Sequence, residues 1–398
     1  MSRVEDLIQE YCPNGVEFQT LGNVLINFDS KRIPITKSNR HKGMYPYYGA
    51  NGIQDYVDGY IFDGTYLLVG EDGSVIKENG TPIINWASGK IWVNNHAHVL
   101  QSNSEKISLR FAYFYLQTVN ISSFITGGTQ PKLNQKNLNK IPFPIPPLPV
   151  QDEIVRILDS FTQLEAELEA ELEARRKQYE YYRDSLLSFE NLEARLGGGI
   201  RLMPLSTLGT WSGGGTPSKS QASFWQGPIN WFSAKDIKST HLIDAQDKIS
   251  KEAVQARGLR IHSPETLIIV ARSGILKHSL PVGILEKEGT INQDLKALTT
   301  NENVTPKFAL HALQNFASQI LLKCHKAGGS VDSLDMKKVY SFKVPVPPLS
   351  EQERIVSILD NFDALTTDLS SGLPAEIQAR RKQYEYYRDK LLTFEEAK

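Results

Sequence analysis

His96 and His98 stand one residue apart, near enough in sequence to share a metal ion, yet no nearby cysteine or carboxylate completes a set of ligands. Gly213-Gly214-Gly215-Thr216-Pro217-Ser218-Lys219 offers glycines and a lysine, but not at the spacing that cradles a phosphate. Cys12 and Cys324 lie far apart without a partner motif, which fits reduced thiols rather than a disulfide framework or a metal site. No catalytic residue and no metal site is therefore expected. The remaining chemistry is recognition by amides, cations and carboxylates in loops.

Charge supports that expectation. The formal charge of the 398-residue chain is only -1, but it is segregated. Residues 16–149 carry 12 basic and 9 acidic side chains, and residues 200–349 carry 18 and 11. The stretches that follow are the reverse, with 6 basic against 12 acidic in 150–199 and 7 against 10 in 350–398. Basic bodies joined by acidic segments suit an anionic partner held by the bodies. Apolar runs such as Leu267-Ile268-Ile269-Val270-Ala271 are too short to cross a bilayer, and the N-terminus lacks a signal-peptide core, so a soluble cytoplasmic protein is expected.

The elements that must carry these groups come from a tandem duplication. Ala174 to Asp184 recurs without a change at Ala379 to Asp389. Ile145-Pro146-Pro147-Leu148 answers Val346-Pro347-Pro348-Leu349, and Ile157-Leu158-Asp159 answers Ile358-Leu359-Asp360. After Pro149 neither proline nor glycine appears until Gly197. Within that span Ile154, Phe161, Leu168, Tyr182 and Phe189 share one heptad position, while Leu158, Leu172, Tyr179 and Leu186 share another. The second arm offers a comparable stripe of Ile355, Leu359, Phe362, Tyr384, Tyr387 and Leu391, and antiparallel pairing of the two arms follows from a pseudo-two-fold relation. The first arm contains a Leu-Glu-Ala-Glu period of good helix formers and is expected to be one rod. Gly372 and Pro374 should divide the second into two pieces.

With these repeats, the Pro-Pro-Leu lead-ins and the Arg-Arg-Lys-Gln-Tyr-Glu-Tyr-Tyr-Arg-Asp tails, the chain resembles the DNA-specificity subunits of type I restriction-modification systems over nearly its whole length. The bodies carry phrases of such recognition domains: Pro46 to Gly52, Leu68 to Ser74, Gly127 to Leu133, Gly213 to Pro217 and Trp231 to Asp236. The resemblance implies two target recognition domains, each reading half of a bipartite, asymmetric site in double-stranded DNA. Helical arms set the gap and dock two adenine-N6 methyltransferase subunits, and two motor-nuclease subunits complete the restriction complex. The chain would hold no cofactor; S-adenosylmethionine would belong to the methyltransferase, and ATP with magnesium to the motor. No Asn/Asp-Pro-Pro-aromatic methyltransferase loop is present, since Pro146-Pro147 and Pro347-Pro348 are flanked by Ile145, Val346 and leucines.

The expected fold is mixed α/β (α+β): two globular recognition domains related by pseudo-two-fold symmetry and separated by two long antiparallel helices forming a coiled coil. The expected boundaries are 1–148 for the first body, 149–196 for the first arm, 197–349 for the second body and 350–398 for the second arm. Tyr60-Ile61-Phe62 and Tyr66 to Val69 should form a hairpin across Asp63-Gly64-Thr65, as should Ile83 to Trp86 and Lys90 to Val93 across Ala87-Ser88-Gly89. Loop residues with base-reading chemistry are Asn51, Gln54, Glu71, Asp72, Lys77, Lys90 and Gln130 in the first body. In the second they are Lys219, Gln221, Lys235, Arg272 and Lys277. The shared phrases add Tyr47, Tyr48, Ser74, Thr129, Lys132, Thr216, Trp231, Ser233 and Ser330 as DNA-binding candidates. The competing reading is a duplicated coiled-coil scaffold for other proteins, which predicts no salt-sensitive DNA affinity.

Overall fold

The computed structural model describes residues 2–102, 106–198, 200–326, 331–367 and 371–397. The chain forms two compact units, and their limits differ from the expected division into bodies and arms. One unit takes the chain up to Glu169 together with everything from Glu376, and the other is Ala170–Ala375. Each unit thus joins one body to the start of its own arm and the end of the other.

In the first unit the sheet contains β1 (Leu25–Asn27), β2 (Lys42–Gly49), β3 (Gly52–Val57), β4 (Phe62–Gly70), β5 (Ile84–Val93) and β6 (Ala97–Ser102), in the order β1-β6-β4-β5-β2-β3. Alternation along β4 sends Leu67 and Val69 to one core and Tyr66 and Leu68 to another, so this strand is buried on both faces. The first core also takes Phe111 and Phe114 of helix Leu109–Leu116, Ile154 and Leu158 of the first arm, and Leu391 and Leu392 near the chain's end. The expected hairpins do not form, because β4 and β5 each run straight through the supposed turn. Gly64 and Gly89 face one another across the ladder with φ of +148° and +80°, so glycine bends a continuous strand pair here rather than ending it.

The second body builds a five-stranded sheet from β7 (Gly209–Gly213), β9 (His241–Leu242), β11 (Leu267–Val270), β12 (Val282–Leu285) and β14 (Leu295–Thr300), in the order β7-β14-β11-β12-β9. A smaller sheet holds β8 (Ile229–Phe232), β10 (Asp247–Ile249) and β13 (Gly289–Ile291). The apolar run Leu267-Ile268-Ile269-Val270 is this body's central buried strand, packed with Phe308 and Leu313 and with Ile355 and Leu359 of the second arm.

The first arm is one helix of 40 residues, Leu148–Leu187. Ser188 then leaves helical geometry and accepts a hydrogen bond from the Asn191 N–H, capping a separate helix, Phe189–Leu196. Phe189, placed in the seam from its spacing, therefore belongs to that next helix. The second arm comprises Leu349–Thr367 and Leu373–Leu391, with Pro374 in the first turn of the latter. Within the first unit Phe161 packs on Tyr384 and Tyr387, centroids 6.4 and 5.6 Å away, and Arg381 pairs with Glu165 and Glu169. Within the second unit Tyr179 and Tyr182 stack on Phe362 at 6.3 and 5.4 Å, and Leu186 joins Ile355 and Leu359. In both pairings later residues of one helix meet earlier residues of the other, so they are antiparallel. Leu168 and Leu172, in the middle of the rod, are only partly buried.

Candidate nucleic-acid interface

A short turn between β5 and β6 organises the polar face of the first body. The buried Asn94 side chain accepts a hydrogen bond from the His96 N–H at 2.8 Å, and the Asn94 N–H donates to the Tyr48 carbonyl at 3.0 Å. The Glu71 N–H in turn donates to the His96 carbonyl at 2.8 Å. Two distant stretches of chain, at Tyr48 and Glu71, are thereby fixed to Asn94-Asn95-His96, leaving Asn95 and His96 exposed.

Beside the turn, Thr126 and Lys132 exchange backbone hydrogen bonds of 2.8 and 2.7 Å and close a loop that exposes Thr129 and Gln130. The loop is held by the Leu133 N–H donating to the Glu71 carbonyl at 2.8 Å, and by buried His98, whose Nε2 lies 2.7 Å from the Leu133 carbonyl. His98 Nδ1 faces the Asp29 carboxylate at 2.5 Å. Both ring nitrogens of His98 meet oxygen atoms, which fixes the ring between Asp29 and the Leu133 loop. Burial pushes the Asp29 carboxyl up, but the His98 contact, the Val99 N–H and Arg32 outweigh it and hold the group below its ordinary range. Asp29, Glu71 and His98 have ligand-type atoms within 4.8 Å of one another, and the Arg32 guanidinium lies 2.6 Å from Glu71 and 3.4 Å from Asp29. A cation is thus already present as a side chain. His96 pairs instead with Asp72, so the two histidines do not converge on one site.

Several candidates gather at this face. Asn51 and Gln54 are exposed around the β2–β3 turn, Glu71 and Asp72 are half-buried, and Lys132 lies 3.4 Å from Glu71. Ser74 and Lys77 are exposed on the following loop. Lys90 does not join them: it pairs opposite Asp63 at the start of β4 and lies over the Tyr60 ring. Tyr47 is 1 % exposed, with its hydroxyl bonded to the Ile35 backbone and Arg40 over its ring, and Tyr48 is also buried. These two tyrosines support the loops from beneath.

The second body repeats the construction. Buried Asn292 accepts from the Asp294 N–H at 3.0 Å and donates its own N–H to the Phe232 carbonyl at 2.9 Å, and the Ala271 N–H donates to the Asp294 carbonyl at 2.8 Å. The Leu334 N–H donates to the Ala271 carbonyl, matching Leu133 on Glu71. Around the exposed Gln293, Thr216 donates to its amide oxygen at 2.5 Å, and Arg272 donates its backbone N–H to Asp294. Lys219, Gln221 and Lys277 are exposed, and Lys235 is paired with Asp247 at 2.7 Å. Trp231 is 6 % exposed and donates its indole N–H to the Gly215 carbonyl, while buried Ser233 bonds to Asp236. Both are scaffold in this body. Ser330 lies outside the described residues.

The two Asn-centred turns and the two buried glutamines that join arm to body were missed from sequence. Gln151 accepts from the Ser108 N–H at 2.9 Å and donates to the Lys106 and Pro146 carbonyls. Gln352 does the same with Thr305, Asn303 and Pro347. Arg110 pairs with Asp159 as Lys307 pairs with Asp360. The signal available was the repeat itself, since Val93-Asn94-Asn95-His96 aligns with Ile291-Asn292-Gln293-Asp294, and Gln151 with Gln352.

Fold and site together define a duplicated α/β protein with two loop-built polar faces of one design, each braced by arm helices. The family model for the type I restriction modification DNA specificity domain matches twice, over residues 13–174 and 201–379. The EcoR124I/EcoR124II type I restriction enzyme specificity subunit of Escherichia coli is 44 % identical over 303 residues, 74 % of this chain and 73 % of that one. A putative type I restriction enzyme specificity subunit of Haemophilus influenzae is 37 % identical over 395 residues, 95 % and 96 % of the two chains. The crystal structure of a type I restriction-modification S subunit from M. genitalium shares the fold with a TM-score of 0.56 at 18 % identity, covering 95 % of each chain. The chain belongs to the type I restriction-modification DNA-specificity family. The scaffold alternative finds no support in these likenesses. Among the described residues no helix is long and apolar enough to cross a membrane.

Proposed function

We propose that each body reads one half of a bipartite, asymmetric DNA site, that the arms set the unread gap, and that the arms dock two adenine-N6 methyltransferase subunits. The observation that carries this reading is the match of one DNA-specificity domain to each body, on bodies that hold the chain's basic surplus. The bodies contribute position and sequence preference. Their cations take the phosphates, and polar loop groups meet base edges in the major groove. The chain itself makes and breaks no bonds. S-adenosylmethionine belongs to the methyltransferase partners, and ATP with magnesium to two motor-nuclease partners, in the cytoplasm. Pro146-Pro147 and Pro347-Pro348 lead into the arms, and the Pro146 and Pro347 carbonyls accept from the buried Gln151 and Gln352 side chains, which supports this division of labour by giving the prolines a structural role.

Exchange of bodies tests the reading. Residues 16–147 are replaced by the corresponding segment of a relative with a different target, and methylation by the assembled complex is mapped. One half-site should change and the other should persist. A swap that alters bases in both halves, in a folded and active complex, refutes it.

A further inference from the structure

We propose that Asn95 in the first body and Gln293 in the second each read one base pair, with the carboxamide set against the major-groove edge of adenine; this rests on the half-site reading above. The two residues occupy the same place in two bodies whose sequences otherwise diverge. Each is the middle residue of a turn whose first residue is a buried asparagine, Asn94 or Asn292, bonded to the backbone N–H two positions on. Each turn is tied at both ends to other strands, through Tyr48 and Glu71 in one body and Phe232 and Ala271 in the other. An ordinary loop residue would gain little from such bracing. A reader gains a fixed origin for its side chain, because the ordering entropy has been met before DNA arrives.

The chemistry at the tip agrees in both bodies. A carboxamide presents a donor and an acceptor in one plane, the pattern that pairs with adenine N6 and N7. Asn95 is exposed, and among the described residues nothing bonds to its amide. It borders a cleft of about 330 Å³ that it shares with Arg40, Gln54 and His96. In the second body Thr216 donates to the Gln293 amide oxygen at 2.5 Å and the amide nitrogen donates to the Asp294 carboxylate at 3.4 Å, which orients the amide and leaves its second N–H and second oxygen lone pair for a base. A basic residue meets each turn: Arg32 donates to the Asn95 carbonyl at 3.4 Å, and Arg272 donates its backbone N–H to the carbonyl of Asp294, the residue after Gln293.

The test uses the complex with its methyltransferase subunits and duplexes in which each base pair of the target is varied in turn. Asn95→Ala should flatten the preference at one adenine position in one half-site by roughly five- to a hundredfold, the range of one bidentate contact. The other half-site should be untouched. Gln293→Ala should do the reverse. Asn95→Asp keeps the shape but removes the donor, and should move the preference toward cytosine, whose N4 amino group donates. Thermal melting verifies that each surface variant is folded. An unchanged preference in folded Asn95→Ala and Gln293→Ala complexes overturns the proposal. So does uniform weakening across all sequences with a shallower salt dependence, the mark of a phosphate contact. If the unaltered complex shows no sequence preference at all, the half-site reading fails first and takes this inference with it.

Discussion

At the scale of single residues, the clearest device is the buried glutamine that fastens each body to its arm. Gln151 and Gln352 are wholly buried, and each satisfies a backbone donor and a carbonyl at the start of a body helix and a second carbonyl at the arm's lead-in. Gln151→Leu fits the space but leaves those backbone groups unpaired, at about 1–3 kcal/mol for each group that water cannot reach. Urea unfolding should show a loss of at least about 2 kcal/mol for the first unit. A loss below about 0.5 kcal/mol, typical of an exposed substitution, would show that the bonds hold nothing. Neither glutamine was legible from spacing or composition, because its three partners lie in segments distant in sequence or at the arm's own lead-in. The same holds for Asn94 and Asn292. Tyr47 and Trp231 misled in the opposite sense: an aromatic ring suits a core as well as a base stack, and only the fold shows that these two are buried.

At the scale of elements, the arms were largely readable. Their period, the proline lead-ins and the Gly372-Leu373-Pro374 interruption are local signals, and local signals fix helices. The strands were less so, since Gly64 and Gly89 have turn chemistry but face each other inside one ladder, a pairing that no single segment reveals. The continuous first arm carries a further prediction. One added Leu168 to Glu171 tetrapeptide lengthens a helix by about 6 Å and turns its seam by only about 40°. Inserted after Glu171, it leaves the contacts of Arg381 with Glu165 and Glu169 in register. About 6 Å is comparable with one or two base pairs, so the preferred gap between half-sites should widen while both half-site sequences persist. Methylation measured on duplexes that differ only in the gap checks this; the same preferred gap in a folded, active insertion variant refutes the ruler.

At the scale of the molecule, the duplicated tails leave the same side chains exposed in two places. Tyr181 and Tyr386 stand in the identical eleven-residue segments and are 68 % and 63 % exposed, which suits two copies of one partner. Tyr181→Ala with Tyr386→Ala should weaken assembly with the methyltransferase by more than tenfold in titration calorimetry, with melting temperature unchanged; full affinity in the double variant would place docking elsewhere. The way the two units are cut from the chain also orders events in time. The second unit is one uninterrupted stretch, whereas the first closes only when Leu391 and Leu392 enter its core and the Val16 N–H meets the Glu395 carbonyl. A ribosome therefore releases the segments of the first body long before the residues that seal it, while the second can fold as soon as it emerges. Until Leu391 and Leu392 are made, the first body must wait with an unfilled apolar face, and it is this half that chaperones and proteases will meet first.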